Sequence, residues 1–209
     1  AAQGIGWLIA TDLAAISGLF LVTLAITYAL PVLSAGTEKH QIGAILADLG
    51  PTPETLLQRF HRIGYDRLVD VATQVIGPQL HLHGQRHLAY PVIHFFRSPS
   101  SGAGLAVHVA IYDQALALLQ RSVPDDQRPS DEQLELLRKP VGSLLEVATL
   151  GCRRAGSSLP DPDPDELRRS GLRVVDEDVF AESWRAEDER RQQLADFLLS
   201  SGWDPSRCW

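Results

Sequence analysis

Residues 13–33 carry no charged side chain and almost no strongly polar one, in a 209-residue chain that is otherwise hydrophilic and acidic. As a helix rising about 1.5 Å per residue, the run covers roughly 30 Å, the thickness of a bilayer's hydrocarbon core. Apolar helices of soluble domains are usually shorter and keep a polar stripe. The run therefore predicts a transmembrane helix, with a helix buried in a large core as the alternative. A cleaved signal peptide needs a basic start and a shorter apolar core, and residues 1–12 hold no Lys or Arg. The segment is expected to persist as an anchor. Asp12 flanks it on one side and Lys39 is the first cation on the other. The positive-inside rule then places the C-terminal part in the cytoplasm, below the cell (inner) membrane.

Beyond the anchor the chain is long enough for one domain with a real core. Its formal net charge of -7 argues against nucleic acid as a partner and against a broad basic membrane footprint. Cys152 and Cys208 form no disulfide framework and no metal-ligand pair, which fits a reducing compartment. No methionine occurs, at position 1 or elsewhere. The expectation is a piece of a longer protein, or one whose start was removed.

Helical patterns follow the anchor. Glu38 to Leu49 is a short amphipathic stretch closed by Gly50 and Pro51. Thr52 is placed to cap the next helix, with Pro53 at its first position. From Tyr65 to about Gln85 apolar residues recur at three- and four-residue intervals, and Gly77-Pro78 is expected to kink or break that helix. Tyr90 to Phe96 reads as a connector or a helix start, Ser98 to Gly104 as a loop, and Leu105 to Leu119 as a strongly apolar helix. Ser130 and Gln133 resemble a capping box opening a helix to about Cys152, kinked at Pro140. After the proline-rich stretch Gly156 to Asp165, a last helix runs from about Asp176 to Ser201 and ends at Gly202. Its apolar residues Phe180, Trp184, Phe197 and Leu198 are expected to be buried, and Arg185, Glu187, Glu189 and Arg190 to remain wet. No alternating run is long enough for a sheet. The chain reads as all-α: a transmembrane helix over residues 1–36 and an α-helical cytosolic domain over 37–209.

The chain offers little to catalysis. Gly4-Ile5-Gly6 lacks the third glycine of a phosphate loop, and neither cysteine nor any serine sits in a nucleophile motif. His83 and His87 would share a helix face and are weak metal candidates, with His81, His94 and His108 nearby in sequence or pattern. No third ligand is specified, so no metal and no enzymatic activity is expected; a membrane-attached enzyme using these histidines is the distant alternative. The anchor is more telling. At about 100° per residue, Asp12, Thr23, Thr27 and Ser34 fall in a narrow stripe, and polar groups in a spanning helix usually face a bundle interior or a water-filled path. Tyr28 and Ser17 lie opposite. Ala14 and Gly18 form a small-xxx-small pair, while Gly18 and Pro31 are candidate hinges. The plain alternative is an anchor whose hydroxyls bond back to its own carbonyls.

Ile5-Gly6-Trp7-Leu8-Ile9-Ala10-Thr11-Asp12-Leu13-Ala14-Ala15-Ile16-Ser17-Gly18-Leu19, the apolar run into Tyr28, and Pro31-Val32-Leu33-Ser34-Ala35 resemble the inner pore helix of bacterial two-transmembrane potassium channels. In one group of that family an acidic residue followed by small residues and a glycine opens this helix. Tyr90-Pro91-Val92-Ile93-His94-Phe95-Phe96 and Gly202-Trp203 resemble segments of the group's cytosolic helical tail. The resemblance implies the C-terminal part of a potassium-channel-like ion-transport protein: a pore-lining helix plus a cytosolic assembly or gating domain. It also implies potassium as the ion carried, no further cofactor, and a homo-oligomer, most simply a tetramer, in the lipid bilayer. The family's Thr-Val-Gly-Tyr-Gly-like filter is not in this chain and would lie before Ala1; by itself the chain could not select potassium. The alternative is a single-pass anchored helical interaction or adaptor domain with no transport role.

Overall fold

In the computed structural model, which describes residues 2–96, 104–149, 156, 158–169 and 171–207, the apolar run and the amphipathic stretch after it form one helix, α1 (Ala2–Ala47). The expected division near residue 36 is thus not a break in the backbone. The helix passes through Gly18 and Pro31 and ends with Arg59 donating to the carbonyls of Asp48 and Leu49. Its upper part is a candidate membrane span, and the rest of the chain buries none of that most apolar stretch. Its lower part is docked: Val32, Ala35, Ile42 and Leu46 are buried. Within this chain the apolar stretch is exposed and not enclosed by the helical domain.

The remaining described residues are helical or irregular, with no strand among them, so the fold is all-α. α2 (Pro53–Ile63) starts as expected, with Thr52 and Thr55 exchanging cap hydrogen bonds and Pro53 in the first turn. α3 (Tyr65–Val71) and α4 (Gly77–Ala89) are joined by a π turn, Ala72–Ile76, rather than separated by a break. Pro78 lacks an amide donor and its ring crowds the preceding turn. Widening that turn to a five-residue bond, Gly77 N–H to the Ala72 carbonyl, lets the chain continue. A 3₁₀ turn, Pro91–Phe95, follows α4.

α5 (Leu105–Ser122) is buried on nearly every side, packing against α1, α2, α6, α8 and α9. A helix buried all round has no solvent face to present, its few polar side chains included, and it becomes the axis of the domain. α6 (Asp131–Ala148) opens on the Ser130–Gln133 capping box and runs through Pro140 without ending. Pro140 is buried opposite Gly77 of α4. The short α7 (Pro164–Arg169) leads to α8 (Glu177–Trp184), a 3₁₀ turn Arg185–Glu187, and α9 (Asp188–Ser200). The last expected helix is therefore two, and Gly202 closes it at φ +86°, a left-handed value that favours glycine. The expected loop at 98–103, Cys152 and Cys208 lie outside the described residues.

Phe180, Trp184, Phe197 and Leu198 are buried as the pattern requires, and Arg185 and Glu189 are exposed. Glu187 and Arg190 correct the expectation. Glu187 is buried and accepts from Arg121 Nε at 2.9 Å and Arg138 Nη2 at 2.6 Å. Arg190 reaches inward to Asp113, Nη2 to Oδ1 at 2.6 Å and Nε to Oδ2 at 2.9 Å. The charges escape solvent because each finds an opposite charge, which the local sequence does not reveal.

Candidate functional site: the candidate span and its collar

Asp12, Thr23, Thr27 and Ser34 are all exposed on α1. The docked face of the same helix carries Tyr28, Val32, Ala35, Lys39, Ile42 and Leu46. By helix geometry of about 100° per residue, the centres of these two faces are about 130° apart. The domain thus hangs on one side of α1 and leaves the polar stripe unobstructed. Within this chain the threonine hydroxyls donate back to the helix: Thr23 to the Leu19 carbonyl at 2.9 Å, Thr27 to that of Thr23 at 2.7 Å. Such bonds quiet a hydroxyl in hydrocarbon while leaving oxygen lone pairs outward.

A collar of aromatic and basic groups holds the foot of α1. Tyr90, at the end of α4, meets Tyr28 edge to face with ring centroids 5.9 Å apart. Ile93 is buried with Val32 and Ala35, and Phe96 lies across Gly36, where a Cβ would come within 3.1 Å of its ring. Lys39 Nζ donates to the carbonyls of Phe96 (2.9 Å), Ile93 (3.1 Å) and His94 (3.3 Å). That first cation after the span is a clasp on the 3₁₀ turn. Arg86 of α4 pairs with Glu38, and His94 donates Nε2–H to the Ser200 carbonyl at 2.9 Å. Trp203 in turn packs on Gly104. Of the two segments quoted above, Tyr90 to Phe96 supplies His94 and Gly202-Trp203 follows Ser200 by two residues, so both meet at the His94–Ser200 bond that ties the end of α9 to the collar.

The histidines sit in this collar. The rings of His83 and His87 are 6.2 Å apart and those of His87 and His94 5.4 Å. Burial, together with the positive charges of Lys39, His87 and Arg86, pushes His83 down to about 3; burial with His94 and Lys39 pushes His87 down to about 4. Both rings are neutral near pH 7. Among the described residues no group of three or more His, Cys, Asp or Glu is placed to hold a metal ion. His81 donates Nδ1–H to the Gly77 carbonyl at 3.0 Å, outside the ring contacts just described.

Sequence reasoning missed a second polar centre. Asp113, fully buried in α5, takes Arg138 Nη2 at 3.1 Å and both bonds from Arg190. Burial would raise its carboxyl, but the charges and hydrogen bonds of Arg138 and Arg190 outweigh it and hold it well below the usual carboxylate range. Burial opposes the charge on Glu187 too, and Arg138 with Arg121 again prevails. This cluster ties α5, α6 and α9 together. The available signal was the one charged side chain, an aspartate, inside a strongly apolar helical run, Leu105 to Leu119.

The fold and this geometry define a class: an all-α protein with one exposed apolar helix clasped to a helical domain. The chain is similar to the uncharacterized membrane protein YdjJ of Bacillus subtilis (strain 168), 26% identical over 195 residues, which cover 90% of this chain and 55% of the relative. It thus spans about half the length of the curated relative it matches. No family model matches the chain, and no solved structure does. Relative and candidate span agree that this is a membrane protein.

Proposed function

We propose that the chain is the C-terminal part of a potassium-channel-like protein of the cell (inner) membrane, in which α1 lines the lower pore and the cytoplasmic domain assembles or gates it. The observation that carries the reading is the separation of faces on α1. A pore helix must turn its polar side to an axis while its own domain stays clear of that axis, and the stripe from Asp12 to Ser34 lies about 130° from the docked face. Several copies around the axis would be needed to enclose a path, a tetramer in the simplest case. The filter that selects the ion would come from elsewhere in the whole protein.

The back-bonded hydroxyls of Thr23 and Thr27 favour a second reading, a single-pass anchor bearing a helical interaction domain. Potassium flux separates the two. Reconstituted full-length protein should carry potassium across vesicles that protein-free vesicles do not, and should run as a defined oligomer after cross-linking in the membrane. A monomeric protein without flux would leave the anchor.

A further inference from the structure

We propose that the corner joining α4 to the 3₁₀ turn, Leu88 to Phe96, rests in the interfacial layer of the same bilayer that α1 enters, with Leu88, Tyr90 and Val92 against lipid. This requires only that α1 spans, and holds whether the protein conducts or is a simple anchor.

The level of the corner is fixed by its partners on α1. Arg86 stands beside Glu38, the first charged residue below the apolar run. The chain then climbs through Leu88 to Tyr90, whose ring meets Tyr28 inside the run, and descends with Ile93 beside Val32 and Ala35 and Phe96 across Gly36. Uncharged sequence on α1 ends at Thr37, about 6 Å below Leu33, and an interfacial layer is roughly 5–8 Å thick on each side. The base of the corner, Phe96 across Gly36, occupies that layer, and its apex at Tyr90 reaches about 7 Å above Leu33, to the level of Tyr28 in the lower end of the apolar run.

Its chemistry suits the place. Residues 88–96 include no Asp, Glu, Lys or Arg, yet Leu88 is 60% exposed, with Val92 and Phe96 also open. Apolar side chains grouped beside an exposed apolar helix extend one lipid-facing surface rather than make a second one. Tyrosine at the apex is the residue type enriched at this depth. A turn at a membrane surface also leaves carbonyls short of water, and Lys39 satisfies those of Ile93, His94 and Phe96. The single titratable side chain of the stretch besides Tyr90, His94, points inward to Ser200.

The test uses the chain in lipid nanodiscs, with Cys152 and Cys208 replaced by Ser and a nitroxide placed at one site at a time. Leu88→Cys and Val92→Cys probe the corner; Leu136→Cys and Val179→Cys, at positions 59% and 54% exposed on α6 and α8, are the controls. Collisional relaxation by oxygen, which concentrates in lipid, is compared with that by a water-soluble nickel chelate. The oxygen-to-nickel ratio should be several-fold higher at 88 and 92 than at 136 and 179. Equal ratios at all four would overturn the proposal. So would immobile labels at 88 and 92 reached by neither reagent, which would mean that protein, such as a neighbouring subunit, covers the corner.

Discussion

Lys39 Nζ lies 3.1 Å from the carbonyl oxygen of Ile93, 54 residues further along the chain. With the neighbouring bonds to His94 and Phe96, this one ammonium fastens the 3₁₀ turn to the foot of α1. Lys39→Met keeps much of the stem and removes three charge-assisted bonds to half-buried and exposed carbonyls, of which that of Ile93 still accepts from Phe96 N–H; hydrogen bonds to a charged group contribute about 1.5–3 kcal/mol. Amide exchange at Ile93 and Phe96 should speed up by roughly tenfold or more, since 1.4 kcal/mol is a factor of ten. Amides in the middle of α5 should be unchanged.

Asp113 holds two arginines in the core. Asp113→Ala leaves Arg138 and Arg190 without their counter-charge, and breaking such a buried pair costs about 3–5 kcal/mol. For a domain of this size the Tm should fall by about 10 °C or more. The exposed pair Arg173 and Asp126, at 3.5 Å, is the control: removing either side chain should scarcely move the transition. Thermal melts of the detergent-solubilised chain followed by circular dichroism read both.

Acid should loosen the collar before it loosens the core. His83 and His87 titrate at about 3 and about 4 when folded, against about 6.5 unfolded. The unfolded chain therefore takes up protons in this window that the folded chain refuses. Stability is full above about pH 6.5 and falls as the pH drops towards 4, by at most about 1.4 kcal/mol per pH unit for His83. The carboxylates of Asp113 and Glu187, held low by their arginines, contribute their own loss only as the pH falls below the ordinary carboxylate range. His83→Gln should flatten the profile between pH 6.5 and 4 and leave the steeper acid limb in place.

Glycines separate folding from function. An added Cβ at Gly50 would come within 2.9 Å of the Leu56 backbone nitrogen, which cannot yield without moving the first turn of α2. Gly50→Ala should lower the Tm measurably. At Gly18 a Cβ meets nothing within 4 Å, so Gly18→Ala should melt like the parent. Loss of flux in that variant of the full-length protein would then report bending at the candidate hinge or close approach of another helix.

Local rules made the helices legible. Thr52 and Ser130 announce caps that need only their next three residues, and the run from Leu105 to Leu119 announces a helix with no wet face. Residues 13–33 likewise need no partner to be read. What was hidden depends on distant neighbours: Asp113 meets arginines 25 and 77 residues away, and Glu187 looks solvated until Arg121 and Arg138 arrive. Pro78 predicts trouble in a helix, but not that a π turn will absorb it. The stripe on α1 could be drawn from spacing alone; that the domain would dock on the other side could not.

The most direct measurement is of which face of α1 meets water during ion flow. In the reconstituted full-length protein with its native cysteines replaced, single cysteines go to Thr23 and Thr27 on the stripe and to Leu21 and Ala25 on the opposite side of α1. A charged, membrane-impermeant thiol reagent is then added while potassium current is recorded. Modification at 23 and 27 should block the current, and modification at 21 and 25 should leave it intact. Equal labelling at all four positions, or the absence of any potassium current to block, would contradict a pore-lining α1.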